Sequence, residues 1–208
     1  RLNWKNDLIA KIEARSHGAP VPLPPQNEWR ELRADAYDYT RVSVIGRFEH
    51  EREILIFRST ADGKASGAGP GYQVLTPLRL ADGSHVVINR GFVPLASKDP
   101  NTRKAGLIMD EVKITGLMRA PEARNALTPP DNPAKNEWFT RDPAKIAAHF
   151  GLEKAAPFAI DADAPPVPGG LPVGGSSVLT IPNNHLSYAV TWFGLALTLL
   201  GVFGVFAA

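Results

Sequence analysis

Of the five histidines in this chain, one stands in company that could do chemistry. His185 lies in the run Asn183-Asn184-His185-Leu186-Ser187-Tyr188. On a helix advancing about 100° per residue, Tyr188 falls about 60° from His185 and Trp192 only about 20° away. The three share one stripe. A neutral imidazole can serve as an axial ligand to haem iron, and aromatic rings below it can stack on a porphyrin lying along the helix. The same stripe also suits an interfacial belt, in which His, Tyr and Trp anchor a helix at headgroup level. On spacing alone the belt is the plainer reading.

Other chemistries find less support. The chain has no cysteine, which removes disulfides, thiolate nucleophiles, Cys-ligated zinc or iron-sulfur sites and covalently attached haem. Two methionines, Met109 and Met118, are too few for a copper carrier built on soft sulfur. His17, His50 and His149 lack partners at metal-ligand spacing and are expected on the surface. Asp161-Ala162-Asp163 offers two carboxylates, expected to be solvated in a Pro-rich connector, with no third ligand at a fixed spacing. Gly67-Ala68-Gly69-Pro70-Gly71 lacks the Lys-Ser/Thr of a phosphate loop and reads as a turn. Ser84 and His85 are strand neighbours pointing to opposite faces, and no Gly-x-Ser-x-Gly occurs. No enzyme is expected, and 23 Lys plus Arg against 21 Asp plus Glu, a net charge of +2, argues against nucleic acid as a partner.

The elements that must position His185 differ sharply along the chain. The 23 residues after His185 carry no charge, and as a helix they would extend about 34 Å against a hydrocarbon core of about 30 Å. The segment 185–208 is therefore expected to be a transmembrane helix in a lipid bilayer. The 30 residues from Ala155 to Asn184 contain no Lys or Arg, which fits a flank on the non-cytoplasmic side. At the other end, Trp4, Leu8, Ile9 and Ile12 form the apolar stripe of an amphipathic helix over Asn3 to Arg15, giving a juxtamembrane element at 1–18. The run Ala19 to Pro25 then reads as an extended crossing.

Between these ends, runs at Val42–Ile45, Ile54–Phe57, Tyr72–Leu78, Val86–Ile88 and Val112–Ile114 have the length and bounding Gly, Asp or Pro of strands, with a hairpin signal at Ala81-Asp82-Gly83. The expected fold class is mainly β (α+β): an antiparallel barrel-like or sandwich domain over 19–160 with a few helices. Asp142 to Gly151 is the clearest helix, with Asp142 as cap, Pro143 at the first position and Gly151 at the end. A Pro/Gly-rich connector is expected over 161–184, with room for a last strand at Ser177 to Ile181.

Four segments carry a family resemblance: Gly71-Tyr72-Gln73-Val74-Leu75-Thr76-Pro77-Leu78, Val87-Ile88-Asn89-Arg90-Gly91-Phe92-Val93-Pro94, Asn136-Glu137-Trp138-Phe139 and Asn183 to Phe193. In this order, from about Trp4-Lys5 and Ala19 to Pro24 onward, the chain resembles the Surfeit locus protein 1 family of cytochrome c oxidase assembly factors. Asn89, Arg90, Gly91 and Pro94 form one of the two most specific motifs, and the stretch headed by His185 forms the other.

The resemblance implies a non-enzymatic inner-membrane protein with two spans, the first preceding Arg1, flanking a periplasmic domain in bacteria or an intermembrane-space domain in mitochondria. It implies haem a as a transient cofactor, with His185 as iron ligand and Tyr188 and Trp192 beside it. The implied partners are the catalytic subunit of cytochrome c oxidase and haem a synthase. A haem-free protein that stabilises an oxidase intermediate uses the same motifs without iron ligation.

Overall fold

The aliphatic runs between Arg41 and Ala162 build a sheet that closes on itself. A computed structural model describes residues 12–58, 69–164, 166–175 and 185–207, and in the last stretch side chains only at 191–196, 198–200 and 202–206. Among the described residues the strands are β1 (Val21–Pro22), β2 (Arg41–Phe48), β3 (Ile54–Arg58), β4 (Gly71–Arg79), β5 (His85–Pro94), β6 (Val112–Arg119) and β7 (Ala155–Ala162). They form one sheet in the order β1-β2-β6-β7-β5-β4-β3, and an extra pairing of β2 with β4 closes β2, β6, β7, β5 and β4 into a five-stranded barrel. That closure joins Arg47 to Arg79 and Phe48 to Leu78.

The sheet is mixed, where an antiparallel one was expected. β5 and β7 run parallel, with Val87 opposite Ala159 and Asn89 opposite Asp161, and β1 runs parallel to β2. The chain between Pro94 and Ala155 includes β6 and a helix, far more than the dozen or so residues that a parallel crossover needs.

Inward-facing Val42, Val44, Leu78, Val86, Ile88, Met118, Phe158 and Ile160 fill the barrel. A short 3-10 turn at Gln26–Glu28 and helix α2 (Ala34–Tyr37), the second helix after residues 12–16 (α1), bring two rings over Phe158. The Trp29 ring meets it edge-on at 5.7 Å and Tyr37 at 5.4 Å. The outer face of the sheet packs a second cluster of Ile54, Ile56, Leu75, Val87, Trp138, Ile146 and Ala159. β5 is thus buried on both faces, so its residues lack the simple in-out alternation of a half-exposed strand.

Local chemistry sets the connections. Helix α3 (Pro143–Phe150) starts where the Asp142 carboxylate accepts from Lys145 N and stops at Gly151 in the left-handed conformation, φ +64°. In the β4–β5 hairpin Asp82 accepts from Ser84 N at 2.9 Å, and Gly83 has φ +77°. The Pro-rich crossing does run extended, through β1, with Leu23 N donating to Ser43 O at 3.1 Å. Of the expected helix Asn3 to Arg15, residues 3–11 lie outside the described residues, as do Gly67 and Ala68 and the strand expected at Ser177 to Ile181.

Two compact units divide the chain, Arg1–Val178 and Leu179–Ala208. The second contains helix α4 (His185–Ala207), 23 residues without a charged side chain. Among the described residues no helix is long and apolar enough to cross a membrane. The span expected at 185–208 rests on its sequence.

Candidate functional site

α4 begins at His185, so the helical spacing that aligns His185, Tyr188 and Trp192 applies along its backbone. The side chains of His185 and Tyr188 lie outside the described residues; Trp192 is 69% exposed, and Phe193 beside it 73%.

The second motif lies on β5 and is organised by a bulge. Val74 on β4 pairs with Gly91 but the next residue, Leu75, pairs with Asn89, so Arg90 is the extra residue. A bulge of this kind re-aims a side chain. Gly91 has φ +123°, and a Cβ there would stand 2.0 Å from Val173 O. Both conformation and space demand glycine, because Val173 N and O exchange hydrogen bonds of 2.9 Å with Phe92 directly against it. Pro94 ends the strand and precedes a 3-10 turn at Leu95–Ser97.

The bulge sends Asn89 and Arg90 into two separate buried ion clusters. Asn89 Nδ2 donates to Asp161 at 2.9 Å, and its Oδ1 accepts from Gly91 N at 3.1 Å. Asp161 is also held by Arg119 at 2.9 Å and Arg141 at 3.3 Å. It belongs to β7 and is 3% exposed, which corrects the expectation of a solvated carboxylate in the connector. Its neighbour Asp163 pairs with Arg41.

Secondary carboxylates share the load of this first cluster. Arg119 also reaches Asp38 at 3.3 Å, and Arg141 lies 3.6 Å from Glu122, whose other partner is Arg58 at 2.8 Å. Burial pushes the Glu122 carboxyl up, but Arg58 and Arg141 outweigh it and hold it below the usual range.

In the second cluster Glu53 lies between two arginines. Arg103, on the 3-10 segment Pro100–Gly106, meets it bidentately, and Arg90 lies 3.8 Å away. The three side chains are 4%, 1% and 5% exposed. Arg90 also donates to Gly106 O and covers the Phe48 ring at 4.8 Å. Burial lowers its guanidinium to about 10, with Glu53 opposing and Arg103 adding to the shift.

His50 completes this cluster, against the expectation of a surface residue. Its Nε2 lies 2.8 Å from Ile108 O, an acceptor, and so carries the proton; Nδ1 is then free to accept from Arg90 at 3.3 Å. Burial holds His50 below its ordinary value, and the charge of Arg90 works in the same direction. Sequence reading passed over Glu53 and Arg103 because 50 residues separate them and neither lies in a periodic pattern.

Among the described residues both central carboxylates are engaged by two arginines each, while the buried Nε of Arg141 has no hydrogen-bond partner. Among the described residues no group of three His, Asp or Glu is arranged to hold a metal ion.

Residues 1–197 match the SURF1 family. The chain belongs to the SURF1 family. It is 38% identical to Surfeit locus protein 1 of Xenopus tropicalis over 94% of this chain and 65% of that protein. It is 37% identical to the human Surfeit locus protein 1, again over 94% of this chain and over 67% of the relative. A SURF1-like protein of Monosiga brevicollis is 37% identical over 94% of this chain and 75% of its own length. The chain thus spans just under two thirds of the Xenopus relative. The SURF1 match takes in the barrel, the Asn89–Pro94 bulge and the head of α4.

The third SURF1 segment, Asn136 to Phe139, caps the free edge of β3. Asn136 is left-handed, φ +51°, and its Nδ2 donates to Glu53 O at 3.0 Å. Trp138 exchanges backbone bonds with the strand, Phe57 N to Trp138 O at 2.9 Å and Trp138 N to Leu55 O at 3.2 Å, so no open β3 edge is left there to recruit another chain.

Proposed function

We propose that this protein is a membrane-held assembly factor for haem-copper cytochrome c oxidase, holding haem a at the head of α4 and handing it to the catalytic subunit. SURF1 family membership through residue 197 carries the reading, because the matched segment includes His185, Tyr188 and Trp192. In this reading α4 is a span of the bacterial inner membrane and the barrel is periplasmic; the mitochondrial equivalent places the barrel in the intermembrane space. Support comes from the absence of charge in α4 and of Lys or Arg over 155–184.

The residues available suit a haem. An imidazole heads an uncharged helix, and the Trp192 ring, exposed at 69%, follows one stripe below it with a face free for stacking. Haem a supplies the redox chemistry of the oxidase that receives it. This chain contributes an exchangeable nitrogen ligand, His185, and an apolar, water-poor setting for a large ring; no catalysis is asked of it. Haem a synthase is the natural upstream partner, since the cofactor must be made before it is passed on.

The test is the haem-to-protein ratio, by absorbance, of full-length wild type, His185→Ala and Trp192→Leu purified in detergent from a host making haem a. His185→Ala is expected to lose most of the haem while membrane insertion and the barrel stay intact, and Trp192→Leu to lose less. Equal ratios in all three would make His185 an interfacial anchor and the protein a haem-free factor that stabilises an oxidase intermediate.

A further inference from the structure

The loop between β6 and α3, together with α3 itself, encloses an open cleft of about 540 Å³ on the outside of the barrel. Its apolar surface comes from Trp138, 2% exposed, with Pro130 and Pro133. Its charged groups are Arg124, Asp131 and Lys145, and they are not equally engaged. Arg124 donates to Asp131 at 2.6 Å and Thr140 at 3.2 Å; the other Asp131 oxygen accepts from Phe139 N at 2.9 Å. The cleft's carboxylate is therefore saturated by the cleft's own walls.

Lys145 has no ion-pair partner among the described residues. It is followed one helical turn later by His149, so both line the same rim of α3, while Ile146 and Ala147 face the sheet. The His149 ring stands edge-on to Trp138 at 5.6 Å, and its nitrogens have no hydrogen-bond partner among the described residues. The rim thus offers unengaged donors and one unneutralised cation directly beside an apolar floor.

We propose that this cleft docks an acidic peptide segment of a protein partner, with a carboxylate on Lys145 and His149 and an adjacent apolar side chain against Trp138 and the two prolines. Charge complementarity selects the occupant: a basic segment would meet Lys145 and find Asp131 already taken. Neither the haem chemistry nor the membrane span enters the argument, and the test is independent of both.

The full-length protein is titrated with a fluorescein-labelled peptide alternating Glu or Asp with Leu and Phe, and with its counterpart carrying Lys in place of each acid. The acidic peptide is expected to bind about tenfold more tightly than the basic one and to weaken as salt rises. Lys145→Glu is expected to remove that preference with its thermal midpoint unchanged, because Lys145 is exposed. Equal binding of the two peptides, or unchanged affinity in Lys145→Glu, overturns the proposal. So does Lys145-dependent binding of phosphatidylglycerol vesicles without binding of the acidic peptide, which would make the cleft a headgroup site.

Discussion

Asn89 and Arg90 are adjacent, yet each enters a cluster in which one buried carboxylate is shared by two arginines, and the two clusters are built to different tolerances. Around Asp161, Arg119 and Arg141 each have a second carboxylate in reach, Asp38 and Glu122. Around Glu53, Arg90 and Arg103 have no other carboxylate within ion-pair distance among the described residues, and the remaining polar contacts are carbonyls and the neutral His50. The difference shows that the number of buried ion pairs says little about fragility; what matters is whether each charge keeps a partner when one is removed.

The largest effect is therefore expected at Glu53. Glu53→Gln leaves two buried guanidinium groups facing each other and should cost about 3–5 kcal/mol in urea unfolding. Asp161→Asn is expected to cost less, about 1–3 kcal/mol, because its arginines fall back on Asp38 and Glu122. A cost for Asp161→Asn equal to or above that of Glu53→Gln would erase the distinction. The double variant Asp161→Asn/Glu122→Gln sharpens it, since with the fallback of Arg141 gone the loss should exceed the sum of the singles.

The smallest effect is a pH dependence confined to the Glu53 cluster. His50 is held below its ordinary value of 6.5, so near and below that pH the unfolded chain binds a proton that the folded one does not. Stability from this residue is complete above the unfolded value and declines as pH falls through it toward the folded value. Unfolding free energies between pH 7.5 and 5 should fall in wild type and fall less in His50→Gln, which keeps one donor and one acceptor but cannot titrate. Identical slopes would show that His50 contributes no linkage.

These clusters also mark where sequence reading stops. The α3 cap at Asp142 and the hairpin at Asp82-Gly83 were legible because each depends on residues within one helix or one turn. Within Asn89–Pro94 the local signal for the bulge is Gly91, since a glycine inside a strand points to one. The motif's partners were not legible: Asp161 lies 72 residues from Asn89, and its place on β7 depends on a parallel pairing that no local pattern encodes. His50 read as a surface residue because its contacts, Arg90 and Ile108, come from other elements. The mixed direction of the sheet was hidden for the same reason, β5 and β7 meeting only through tertiary structure.

The pairing of Val173 with Phe92 has a mechanical consequence. A pull on the chain from beyond residue 175 does not reach the end of β7 directly. It is borne first by the Gly175 N to Ala162 O bond of 3.2 Å and then by the two bonds of Val173, loaded together. The strap lies across Gly91, immediately behind the bulge, and the absence of a side chain there lets it seat flush. A load arriving from beyond Gly175 is thereby taken up at this clip, and the strand that carries Asn89 and Arg90 is shielded from it.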